Sequence, residues 1–133
     1  MDRMFRQASG FNNGDVALNW GDKTSNVENM SNMFFQANNF NQDISGWDVS
    51  SVTKMNAMFR DASDFNNGEE ELDWAGTSSV TDMSAMFYGA TGFNQNINDW
   101  DVSSVVNKTD FCTSSGLNTG NIPTSFSISC TTP

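Results

Sequence analysis

The sequence predicts a short right-handed repeat solenoid of about four rungs of 25–29 residues, with short strands, short helical turns and little regular helix. Three observations carry this. Phe40 to Ala62 reads as one full unit, and Phe93 to Val105 and Val80 to Ala90 repeat its two halves. The second Met of each Met-x-x-Met-Phe recurs at Met4, Met33, Met58 and Met86, with Phe111 at the fifth station, so the spacings are 29, 25, 28 and 25. Finally, 37% of the residues are hydrophobic, a low share, yet they are large: 11 Phe, 8 Met and 4 Trp. A narrow core of bulky side chains fits those numbers better than a round globule, and the aromatic register excludes disorder.

Each unit opens with an arm from Phe to Trp. The arm takes seven steps in Phe40–Trp47 and Phe93–Trp100, and nine in Phe11–Trp20 and Phe65–Trp74. Both longer arms begin Phe-Asn-Asn-Gly, a turn signal, so the added residues read as loops on one side of the stack, where repeat insertions often form a binding face. In the shorter arm, one strand near Ile44 is expected to pair with its equivalent about 4.8 Å away. Ser50 or Ser51 then caps a turn carrying Val52, Met55, Phe59 and Ala62 on one stripe, with Val52–Met55 extended or loosely wound and Met58–Ala62 helical.

Stacking places like on like. The expected columns are Phe11, Phe40, Phe65, Phe93; Trp20, Trp47, Trp74, Trp100; and Ala8, Ala37, Ala62, Ala90. One unit cannot bury these side chains alone, and each buried aromatic is worth roughly 2–3 kcal/mol before ordering entropy is subtracted. Asn12, Asn41, Asn66 and Asn94 follow the Phe each time and form a predicted buried amide column, able to satisfy turn backbone in their own rung and the next.

Two regions follow: repeats over 1–106, and a degenerate repeat with a C-terminal cap over 107–133. In the second, Lys108 replaces a Met, Phe111-Cys112 replaces Met-Phe, and a Ser/Thr-rich tail follows Pro123. Cys112 and Cys130 both fall in this cap, and a disulfide between them is expected to close its end, with two buried thiols as the alternative. At the other end, Met1 to Ala8 matches Met55 to Ala62 position for position. The expectation there is a piece of a longer array, with its export signal lying outside it.

Six basic residues against sixteen acidic ones, and no histidine, give a formal charge of −10. That balance repels phosphate backbones and anionic lipid. Without His, a Ser-His or Cys-His nucleophile is excluded and zinc ligation has no ligands within reach. Carboxylates recur with the repeat, so no pair sits in the contrasting environments a glycosidase requires. No enzyme is expected.

Calcium is the one cation the acids would suit, through Asp43, Asp48, Asp99, Asp101 and the Glu69–Glu71 loop. No EF-hand or Gly-rich nonapeptide spacing accompanies them, so Asp48 and Asp101, each before Val-Ser-Ser, are read as caps, and no cofactor is assigned. A binding surface is expected on the variable positions: Asp15 and Asp22 in the first long arm, Glu69, Glu70 and Glu71 in the second, and Asp43 and Ser45 between them.

Phe40 to Ala62 matches throughout the hallmark F-N-Q-D-I-S-x-W-D-V-S-S-V-T-x-M-x-x-M-F-x-x-A, and Phe93 to Val105 nearly so. By these residues the chain resembles the BspA-like leucine-rich-repeat surface proteins. It is most similar to the Met-Phe-rich repeat family of unknown function found in mycoplasma surface lipoproteins and secreted proteins of marine microbes. The likeness covers about residues 1 to 112. It implies a leucine-rich-repeat-like solenoid, secreted or at the cell surface, serving adhesion or surface variation and carrying no catalytic residues. The function expected is a non-catalytic recognition module for a protein or glycan. A segment that self-assembles end to end and an ice-binding solenoid are the alternatives.

Overall fold

A computed structural model describes residues 1–130. The expected cap runs on to Pro133, and its last three residues lie outside the described ones. Successive copies of the motif lie over one another in layers, which we number by their central residue: Met4, Met33, Met58, Met86 and Phe111.

The leucine-rich-repeat-like solenoid of short strands and short helical turns does not form. Among the described residues there is no strand and no α-helix; most of the chain is turn and loop. Six 3-10 segments of three or four residues occur, at Asn13–Asp15, Gly21–Thr24, Asn67–Glu69, Thr77–Ser79, Thr119–Asn121 and Thr124–Phe126. The only strand-like pairing among these residues is a line of isolated parallel bridges, Asn29 to Lys54 to Asp82 to Asn107.

The reason lies in how backbone donors are shared. In the third layer the N–H groups of Met55, Ala57, Phe59 and Asp61 donate to Asp82, Ser84, Met86 and Tyr88 of the fourth, at 2.7–2.9 Å. The N–H groups between them, of Met58, Arg60 and Ala62, turn back to Met55, Ala57 and Phe59 within the layer. A helix would keep every donor at home, and a strand would send alternate donors to opposite neighbours. This backbone does neither. It needs a left-handed residue every fourth position, at Ala57 (φ 54°) and Asp61 (φ 58°), with Asn32 and Gln36 or Ala85 and Gly89 at the same places in adjacent layers. The stretch Met58–Ala62 is therefore not helical. Nor is Ile44 in a strand: its N–H goes to the Asn67 side chain, and its carbonyl accepts the Trp47 N–H and the Trp74 indole.

The interior is aromatic. Phe5, Phe34, Phe59 and Phe87 stack with centroids 5.3–5.6 Å apart and near-parallel planes. Phe11, Phe40, Phe65 and Phe93 form a second column at 5.5–5.8 Å, and within each layer the two rings sit 4.0–4.2 Å apart. Trp20 stacks on Trp47 at 5.0 Å and Trp74 on Trp100 at 5.5 Å. The indole N–H groups are satisfied across layers, Trp47 donating to Leu18 O (2.7 Å), Trp74 to Ile44 O (3.0 Å) and Trp100 to Leu72 O (2.7 Å). An indole thus adds to the core without leaving a donor orphaned.

The amide column works similarly, although its members are half-buried or exposed rather than buried. The side-chain oxygens of Asn12, Asn41, Asn66 and Asn94 accept the backbone N–H of Asn41, Asn66, Asn94 and Asn118 at 2.8–2.9 Å. Parallel ring stacking stops at the fifth layer, where Phe111 meets Phe87 edge-on at 84° and Phe126 meets Phe111 at the same angle. Over that end fold Leu117, Ile122 and Phe126, all buried. Lys108, in a Met position, sends its amine to the Phe126 carbonyl.

Cys112 and Cys130 are joined in a disulfide spanning 18 residues, with Cα atoms 5.0 Å apart. Closing a loop of that size removes about 3 kcal/mol of unfolded-chain entropy. Substituting both cysteines by alanine is expected to destabilise the chain by about that amount. Urea unfolding of the variant, and of the parent with and without reductant, checks it; equal midpoints would remove the bridge from the account.

Candidate recognition surface

The two long arms leave the layers through left-handed turns. Asn13, Gly14 and Asp15 all have positive φ (49°, 64°, 62°), as do Asn67, Gly68 and Glu69 (55°, 63°, 71°). Asn-Gly tolerates this region at little cost, which is why both insertions begin with it. The carboxylate after each Gly is fixed by the column Asn before it: Asn12 Nδ2 donates to Asp15 Oδ1 and Asn66 Nδ2 to Glu69 Oε2, both at 2.8 Å.

Of the residues singled out in the sequence, the structure gathers most along one edge. Asp43 and Ser45, in the short arm, lie beside the second insertion: a Cβ on Gly68 would stand 3.1 Å from the Asp43 nitrogen, and the Ile44 N–H bonds to Asn67. On the other side they join Ala17, Leu18 and Asn19 in a concavity of about 210 Å³ that Ile44 and Trp47 also line. Glu70 and Glu71 are exposed on the same loop. Asp22 falls elsewhere, in the turn Gly21–Thr24 that bonds to Asp48 through Gly21 O and Thr24 Oγ1.

The Asp-x-Ser pairs are turn locks. Oδ1 of Asp43, Asp48, Asp82 and Asp101 accepts both the backbone N–H and the hydroxyl of the serine two residues on. For Asp48 and Asp101 the serine hydroxyl first, and the serine N–H second, hold the carboxyl below its ordinary value. A carboxyl depressed by folding adds stability above its unfolded value, near pH 3.9, and loses it as pH falls through the folded one. Between pH 6 and pH 3 the urea midpoint is therefore expected to fall further for the parent than for D48N/D101N, in which the amide oxygen still closes the turn. An equal fall would sink this assignment. No three acidic or thiol side chains gather around a point that would hold a metal ion, among the described residues. Asp43, Asp48 and Asp101 each serve their own serine instead.

One surface feature escaped the sequence reading. The residue directly after each stacked Phe runs Arg6, Phe35, Arg60, Tyr88, and these side chains form an outward column. The Arg6 guanidinium lies 5.1 Å from the Phe35 ring centre, and the Arg60 guanidinium lies 5.7 Å from Phe35 and 4.7 Å from Tyr88. The signal lies in the register, one position past each recurring Met-x-x-Met-Phe.

The chain is held by aromatic columns, by backbone bonds between successive copies of its motif and by the Cys112–Cys130 disulfide. The family model described as "Mycoplasma protein of unknown function, DUF285" matches residues 1–124, and the chain belongs to that family. No curated protein and no solved structure matches it. No helix among the described residues is long and apolar enough to cross a membrane.

Proposed function

We propose that the chain is a non-catalytic recognition module, displayed outside the cell or on its surface, that binds a protein or glycan partner. One observation carries this reading. Most interior positions hold the same residue type copy after copy, as in the Phe and Trp positions, whereas outer positions at equivalent places differ, as in Arg6, Phe35, Arg60 and Tyr88 or in Ser45 and Asn98. A scaffold whose packing is independent of its outer residues leaves them free to specify a partner. The cross-link between Cys112 and Cys130 suits an oxidising compartment, which supports display outside the cell. The likeness of Phe40–Ala62 to BspA-like surface proteins points the same way.

Probing the labelled chain against protein and glycan arrays, with and without calcium, tests this. Saturable binding to a discrete set of partners, unchanged by a chelator, is the expected result. Absence of saturable binding on both arrays would overturn the reading.

A further inference from the structure

The column Arg6–Phe35–Arg60–Tyr88 is the place where this acidic chain concentrates cations and aromatic rings on its surface. Two of its three arginines are here. Phe35 carries one guanidinium on each side, at 5.1 and 5.7 Å, which sets the two cations at most about 11 Å apart. The Arg60 guanidinium lies over two rings, 5.7 Å from the Phe35 centre and 4.7 Å from that of Tyr88, and its Nε is buried without a hydrogen-bond partner, 3.6 Å from Asp61 Oδ2. The remaining nitrogens of Arg60, and the whole guanidinium of Arg6, make no hydrogen bond to any described residue, and the Arg60 side chain is 42% exposed. A planar fork with free N–H groups, pre-oriented by stacking, is the geometry that takes a carboxylate bidentately. Alongside Arg6 and Phe35 lies one amide pair, Gln7 donating to Gln36 at 3.1 Å, with a donor and an acceptor for an extended backbone; Asp61 takes the equivalent place beside Arg60.

We propose that this column docks an extended acidic segment of a protein partner, one carboxylate on Arg6 and one on Arg60. The inference rests on the recognition reading above and names the site and partner chemistry. Asp61 beside Arg60 and the net charge of −10 disfavour a dense polyanion, whereas two separated carboxylates fit the two separated forks. In a polyproline-type segment, acids three residues apart share a face about 9 Å apart, which glutamate side chains bridge to this spacing.

The probe is a fluorescent proline-rich peptide with glutamate at every third position, read by anisotropy at low salt, with the glutamine version as control. Saturable binding to the glutamate peptide, at least tenfold tighter than to the glutamine one and weakened by added salt, is expected. R6Q/R60Q is expected to lose tenfold or more, and R60K to weaken binding although charge is kept. K23Q/K54Q, of the same net charge, is expected to bind as the parent does, and each variant's thermal midpoint confirms its fold. Equal binding of both peptides, or an R6Q/R60Q variant that is folded and binds like the parent, would overturn the proposal. If parent and R6Q/R60Q capture the same array partner equally well, the recognition reading stands and this column is not its site.

Discussion

Replacing Phe59 by alanine is expected to cost about 3–5 kcal/mol, enough to unfold a chain of this size under mild conditions. Phe59 is fully buried and touches three rings, Phe34 at 5.6 Å, Phe87 at 5.5 Å and Phe65 at 4.0 Å. Deleting it removes the transfer energy of an aromatic ring and leaves a void that neighbouring layers cannot close. Their separation is held by the backbone bonds Phe34 N–H to Met58 O and Phe59 N–H to Met86 O, at 2.8 and 2.9 Å. Phe59→Leu, filling part of the space, is expected to cost less than half as much. Chemical denaturation followed by tryptophan fluorescence measures both, and an alanine variant within about 1 kcal/mol of the parent would mean that the column is not holding the layers together.

The second large effect is expected at Asn67, which has no exposed surface although it opens an insertion that reads as a surface loop. Its oxygen accepts the Ile44 N–H at 2.8 Å, and its amide donates to Glu70 O and Glu71 O at 3.0 and 3.1 Å. It also stands at φ 55°, a conformation asparagine adopts more readily than alanine. Asn67→Ala strips a buried donor of its partner and frees two carbonyls, so a loss of about 3 kcal/mol is expected. Asn13 is its counterpart in the first insertion and bonds only Val16 O and Ala17 O, reaching no other layer. Asn13→Ala is expected to cost about 1 kcal/mol. Equal losses at the two positions would show that the link from Asn67 to Ile44 contributes nothing.

Asn67 also shows where sequence reasoning stops. Register alone reveals which side chains meet, because a Phe or Trp recurring at fixed spacing has to find its own copy. The column of Phe40 was legible for that reason, whereas the four tryptophans stack as two pairs, Trp20 on Trp47 and Trp74 on Trp100, rather than as the one column expected. Register does not say where the N–H groups go. The apolar stripe Val52, Met55, Phe59 suits a helix equally well, and only the left-handed Ala57 and Asp61 decide against one; neither residue type announces that conformation. Asn-Gly at 67–68 announces a turn but not that the asparagine side chain is pulled inside to hold Ile44.

The site was half legible. Asp43, Ser45 and the second insertion do come together along one edge, whereas Asp22 stands apart. The arginine and aromatic alternation was hidden because it follows the motif and is not part of it.

The backbone bonds that join layers have a mechanical consequence. They lie along the stacking direction and recur as a set of four in each unit, so tension on the chain ends loads one interface at a time, as in peeling rather than shearing. Each release would free a unit of 25–29 residues, roughly 80–100 Å of extended chain. A pulling experiment is expected to record a sawtooth of low, similar peaks with that increment, the stretch closed by Cys112 and Cys130 lengthening only after reduction. A single high peak releasing the whole chain at once would contradict it. A chain that yields in steps dissipates load and keeps most of its layers folded.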